Sequence, residues 1–219
     1  RALGSITDAV IFLANETAVA VAKRYGAAKR VGVLAYSDHA APPNIPVHSN
    51  VIVGVATRFV KGDWTVARLL AAWSQKARMF GIRDYLSGGS DFPGEDRASV
   101  EYVRTGLPGF HKAGARVYTG EAGANFAPCG LAYYLACRVL WNTREAERLN
   151  DLVDDFIDRS FGAAGAPMRR YYTLIDQSSK PILSRMLVLD LYRCLGEALE
   201  QTQAPDVRRR VQELLLYTR

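Results

Sequence analysis

The chain has 219 residues, enough for one hydrophobic core or one core with an appended helical unit. With 49% hydrophobic and 23% charged residues, it is neither a disordered nor a collagen-like chain. A net charge of +6 is dispersed among 22 acids, and the longest basic run, Arg208 to Arg210, reads as a solvated helix face, so no nucleic-acid partner is expected.

The apolar spacing predicts a first helix from Thr7 to Tyr25, stopped by Gly26. Its richest apolar stretch, Ala9 to Ala22, is interrupted by Asn15 and Glu16 and lacks the basic start of a signal peptide. No uninterrupted apolar window of about 18 residues exists, so no membrane span is expected. Arg30 to Tyr36 is apolar on both faces, as a buried parallel strand is. Pro42, Pro43 and Pro46 make residues 38–50 an irregular connection, and Val51 to Thr57 is a second strand. Asp63 is placed to cap a helix from Trp64 to Phe80, with Gly81 just past its end. A third strand, Ile82 to Leu86, runs into Gly88 and Gly89. A helix from Arg97 to Lys112 then leads to a fourth strand, Arg116 to Gly120. Strands separated by such helices imply parallel pairing with right-handed crossovers.

Beyond Ala127 every segment reads helical. Gly130 to Trp141 is one helix, and the Asn142–Glu145 pair resembles a capping box opening the next, which ends at Phe161. Met168 to Ser178, Pro181 to Gln201 and Pro205 to Tyr217 follow. Two regions result, an α/β part over 1–127 and a helical part over 128–219. Cys129, Cys137 and Cys194 lie in apolar helical surroundings without metal-ligand spacing and are expected as buried free thiols. Trp64, Trp73 and Trp141 are expected as packing residues. The chain starts at Arg1 rather than Met and stops inside a helix, so a piece of something longer is expected.

Ligands of parallel α/β sheets meet the carboxyl ends of the strands. Those ends carry Tyr36, Ser37, Asp38 and His39; then Thr57, Arg58 and Phe59; then Asp84 and Tyr85; and finally Glu121 to Asn125. Glu121, between Gly120 and Gly123, is placed to act as general acid, base or nucleophile, or else to cap a helix or pair with an arginine. Asp84 reads as a second carboxyl or as a partner of Arg83 or Arg58. Tyr85 reads as a sugar-facing ring or as core, and Asp38 as an inward-turned acid beside His39 or the start of an Asx turn. No phosphate-binding loop, nucleophile elbow or His/Cys metal pattern is present, so no cofactor and no metal are expected.

A resemblance joins these residues. Phe12 to Asn15, Leu34 to Ser37, Pro42–Pro43, Asn50–Val51, Trp73–Ser74, Asp84–Tyr85, Glu121 and Gly130 to Trp141 resemble, in order and spacing, the domain of unknown function 4838 family of bacterial proteins, over most of residues 6–175. That family is similar to glycoside hydrolases of the α-glucuronidase and β-hexosaminidase type. The resemblance implies the second half of a (β/α)₈ barrel followed by a helical extension, the first strands lying upstream. An isolated half is expected to aggregate or to need its missing part. The implied function is a carbohydrate-active domain, a glycoside hydrolase acting on a polysaccharide or glycoconjugate; the alternative is a non-catalytic carbohydrate-binding or scaffolding domain. Glu121 matches the family's strand-end Glu, and Tyr36 and Asp84–Tyr85 match its polar strand ends. The stretch from Gly123 to Phe126, with Asn125, resembles the loop after that Glu. Glycosidic cleavage needs two carboxyls about 5–5.5 Å apart for retention or about 6.5–9.5 Å apart for inversion, and Glu121 as proton donor with Asp84 ionised is the expected pair. Tyr36, Asp38, Tyr85 and Asn125 are expected to line the sugar subsite. The sequence favours neither a cytoplasmic nor an extracytoplasmic location and sets no oligomeric state.

Overall fold

A computed structural model describes residues 4–87, 99–123, 126–176 and 184–218. The chain forms two compact units. One comprises Arg1–Tyr85 with Gly109–Glu121, the other Leu86–Pro108 with Ala122–Arg219.

In the first unit, β1 (Val31–Ser37), β2 (Val51–Val60), β3 (Met79–Tyr85) and β4 (Val117–Glu121) pair in parallel in the order β1-β2-β3-β4. The expected α/β class and parallel pairing are present. A barrel is not: among the described residues β1 and β4 are free edges, and the sheet does not close on itself. Alternation divides the strands between two faces. Val31, Val33 and Ala35 stand beside Val51, Val53 and Val55, then Phe80 and Ile82, then Tyr118. This face packs on Ile11, Ala14 and Ala18 of α1 (Ile6–Tyr25) and on Leu69, Leu70 and Trp73 of α2 (Val66–Ser74). The opposite face carries Gly32, Leu34, Ile52, Gly54, Gly81, Arg83, Val117 and Thr119 around a trough of about 330 Å³. Leu34 is 47% exposed there.

Ser5 caps α1 by accepting the Asp8 N–H at 3.0 Å. Two further side chains of α1 hold the proline-containing connection. The buried Asp8 carboxylate accepts from Asn44 N at 2.6 Å, Asn44 Nδ2 at 3.1 Å and Ile45 N at 3.3 Å. Asn15 donates to the Pro46 carbonyl and accepts from His48 N, both at 2.8 Å. The bonds to Asp8, led by the Asn44 side chain, hold its carboxyl below the ordinary aspartate range. Their contribution is therefore present above that range and lost as pH falls through the lowered value. Acidification should raise hydrogen exchange at the Asn44 and Ile45 amides, after correction for intrinsic rates, before the sheet melts. Unchanged protection would contradict this.

Helix α2 departs from expectation. Thr65, not Asp63, caps it by accepting the Arg68 N–H, and it stops at Ser74 instead of Phe80. Residues 79–81 belong to β3, where Met79 pairs with Ile52 and Phe80 with Val53. Sheet pairing of a buried Phe80 outweighs continuation of the helix. Gly81, expected as a helix stop, lies inside the strand.

In the second unit, α4 (Phe126–Trp141), α5 (Leu149–Phe161), α6 (Gly165–Asp176), α7 (Arg185–Gln201) and α8 (Pro205–Thr218) enclose Leu135, Leu149, Ile157, Met168, Tyr171, Leu191, Leu195 and Leu214. Helix α3 (Val100–Lys112) starts in this unit, burying Val103 and Leu107, and ends in the first. Asn142 does cap, accepting from Arg144 N, but it opens a 3₁₀ turn (Thr143–Arg148) ahead of α5. Phe156 meets Tyr134, Phe161 and Tyr172 with ring centroids 5.6–6.3 Å apart. Two packing expectations fail on α4, which is apolar nearly all round. Trp141 is 92% exposed, and Cys137 is exposed while Cys129 and Cys194 are buried. In the basic run on α8, Arg209 is exposed and Arg208 and Arg210 are half-buried. Arg208 donates to the Leu199 and Thr202 carbonyls, and Arg210 to the Ser160 carbonyl and Asp206. No helix among the described residues is long and apolar enough to cross a membrane.

Candidate functional site

At the carboxyl end of the sheet, two residues of β1 and β2 adopt left-handed backbone. Ser37 has φ 50° and Phe59 φ 57°. Such angles are uncommon for any side chain but glycine and an outlier for a bulky one, and they gather at functional sites. They accompany a register shift after Ala35, where Ser37 comes to pair with Val60. The irregularity turns Phe59 outward, leaving it 61% exposed. Its ring lies 6.2 Å from Tyr36 and 5.2 Å, edge-on, from Tyr85. Three strands therefore contribute one aromatic row, with Phe59 as its exposed member. Burial pushes the Tyr85 hydroxyl above the usual tyrosine value.

Arg83 extends the row. Its guanidinium stands 5.4 Å from the centre of the Tyr85 ring and pairs with the Glu121 carboxylate across β3 and β4. Register explains the meeting: Tyr85 is opposite Glu121 and Arg83 opposite Thr119, all on one face. The Glu121 side chain is 50% exposed. Of the readings open for Glu121, pairing with an arginine is observed.

Asp84 takes the other face. It is 1% exposed and accepts from Thr57 Oγ1 at 2.7 Å and from the Tyr118 hydroxyl at 2.6 Å. Tyr118 packs against the helix-covered core, so Asp84 and Glu121 project from opposite sides of the sheet. The expected carboxyl pair is not brought together, because consecutive strand residues alternate and Asp84 is registered with Gly120 rather than with Glu121. Asp38 pairs with Lys61 and does not join the row. The Lys61 ammonium at 2.9 Å holds its carboxyl below the usual aspartate range. Asp38 follows β1, three strands from β4, or about 14 Å at about 4.8 Å per strand. Asn125, Gly88 and Gly89 lie outside the described residues.

The row thus unites Tyr36, Tyr85 and Glu121 with two residues that sequence reasoning did not place at its centre, Phe59 and Arg83. Both stand at strand ends, and alternation from Gly81 puts Arg83 on the face of Tyr85; the register with β4 adds Glu121 to that face. In the second unit, Ser87 accepts from the Gly123 N–H and, at 3.0 Å, from the Tyr133 hydroxyl, tying together the segments that follow β3 and β4. A cavity of about 430 Å³ between α6 and α7 has its charges matched in pairs, Arg170 with Glu197 and Arg193 with Asp190. Among the described residues, no group of three or more His, Cys, Asp or Glu could hold a metal ion.

These features define an α/β domain with a parallel sheet, a cluster of aromatic and charged residues at its strand ends, and a helical unit. The sequence matches the family described as Domain of unknown function (DUF4838) over residues 1–173, and the chain belongs to that family. No curated protein and no solved structure matches it.

Proposed function

We propose that the chain is a carbohydrate-active domain that binds a polysaccharide or glycoconjugate across the carboxyl ends of its strands, as part of a (β/α) barrel of the glycoside hydrolase type. The observation carrying this reading is the outward Phe59 ring, held in left-handed backbone between Tyr36 and Tyr85 and flanked by the Arg83–Glu121 pair. An exposed ring offers a flat apolar surface to the C–H face of a sugar, and the ion pair beside it offers donors and acceptors to hydroxyls. The strand order β1-β2-β3-β4 is that of consecutive barrel strands, whereas a doubly wound sheet reverses direction at a switch point.

Hydrolysis is the second reading, favoured by the exposed Glu121. Its partner carboxyl is neither Asp84, which faces the other way, nor Asp38, about 14 Å off. Calorimetric titration with a panel of oligosaccharides, with a reducing-end assay on the same mixtures, tests both readings. Phe59→Ala should weaken binding by about three- to tenfold, the worth of one aromatic contact. Glu121→Gln should abolish turnover if hydrolysis occurs. No binding to any member of the panel would overturn the proposal, and binding without turnover would leave a recognition domain.

A further inference from the structure

We infer that the sugar held at this site is uncharged, gripped through two adjacent hydroxyls by the Arg83–Glu121 pair, and that Glu121 excludes uronic and sulfated sugars. The inference rests on the carbohydrate reading above. The Glu121 Oε2 takes the Arg83 Nη2, which leaves Oε1 as an acceptor on a half-exposed carboxylate. Arg83 carries five N–H donors in a fixed plane. One edge meets Glu121 and one face lies over Tyr85, so the remaining N–H groups define the direction in which it can still donate. An acceptor of one sign and a donor of the other therefore stand side by side beside an aromatic face.

Vicinal hydroxyls match that pattern. One O–H donates to Oε1, and the neighbouring oxygen accepts from the guanidinium, without separating the ion pair. A ligand carboxylate or sulfate meets a different situation. To reach Arg83 it must displace Glu121 or lie against it, and like charges in contact at a partly desolvated site cost of order tenfold or more in affinity. Among the described residues, the Lys61 ammonium is already paired with Asp38. Specificity on this account is a matter of one repulsive group set beside one attractive group.

The test is a titration of the full chain at physiological salt. Neutral probes are cellohexaose, xylohexaose, mannohexaose and chitohexaose; acidic probes are hexagalacturonate and a sulfated galactan hexamer. At least one neutral probe should bind, with both acidic probes about tenfold weaker or worse. Glu121→Gln should narrow or invert that ratio, because the amide removes the negative charge and releases part of Arg83. Acidic probes binding more tightly than neutral ones to the unaltered chain would overturn this inference and leave the carbohydrate reading standing. An unchanged ratio in Glu121→Gln would overturn it in the same way. Binding of no probe of either class would overturn both.

Discussion

Trp73→Ala should cost the sheet unit about 3–5 kcal/mol, the range for deleting a fully buried large aromatic side chain. Trp73 is fully buried among Leu69, Ala77 and the valines of β2. Its indole N–H also donates, at 2.8 Å, to the carbonyl of the buried Ala40. Truncation thus opens a cavity and leaves a buried carbonyl without that partner, itself worth about 1–3 kcal/mol. The two losses overlap and are not summed. Against a typical total of about 5–15 kcal/mol, such a change brings a domain near its threshold. Trp73→Phe separates the contributions, because it keeps most of the packing and removes only the donor. Denaturant unfolding followed by circular dichroism reads both variants. An alanine variant unfolding at the midpoint of the unaltered chain would refute this account.

Gly81→Ala should be the most disruptive single-methyl addition in the sheet. A Cβ at Gly81 would lie 2.7 Å from the Val117 Cβ and closer still to the Val117 carbonyl oxygen. The second obstacle is backbone, so no rotamer change relieves it. β4 would have to move, carrying Glu121 with it. Overpacking of this kind costs about 1–3 kcal/mol and sometimes more. Gly32, on the same face, is the control, since a Cβ there meets nothing within 4 Å. Gly32→Ala should be neutral or stabilising by up to about 1 kcal/mol through a less flexible unfolded chain. Equal unfolding midpoints for the two variants would contradict the close approach of β3 and β4.

The strands were legible because each is a short apolar run bounded by turn residues, and the glycine after α1 was legible as its stop. The end of α2 was not. Gln75, Lys76, Ala77 and Arg78 are all acceptable in a helix, and what stops it is tertiary: Met79 and Phe80 are claimed by pairing with β2. The site divides in the same way. Polar and aromatic residues at strand ends could be seen in sequence, which picked out Tyr36, Tyr85 and Glu121. Which of them share a face depends on the offset between β3 and β4, and nothing local encodes that offset. Asp84 therefore looked like a partner for Glu121 until the register placed it opposite Gly120. Phe59 was hidden for another reason, since phenylalanine has no preference for the left-handed backbone that turns it outward. Trp141 and Cys137 were misread because α4 is apolar on most sides, so periodicity gives no inward direction.

The connection from β1 to β2 is a parallel crossover without a helix, a place where the chain cannot satisfy its own backbone groups by regular pairing. It borrows them from α1 at two points, Asp8 and Asn15. These residues are seven apart, two helical turns, so they lie on one side of the helix about 10.5 Å from each other along its axis. Their separation is matched to the separation of Asn44 and His48 in the connection. Substitutions between them leave that match intact, whereas one inserted or deleted residue rotates one anchor about 100° away from the other. The segment from Asp8 to Asn15 is thus free in composition on its outward side and fixed in length, a constraint on how sequences sharing this crossover can diverge.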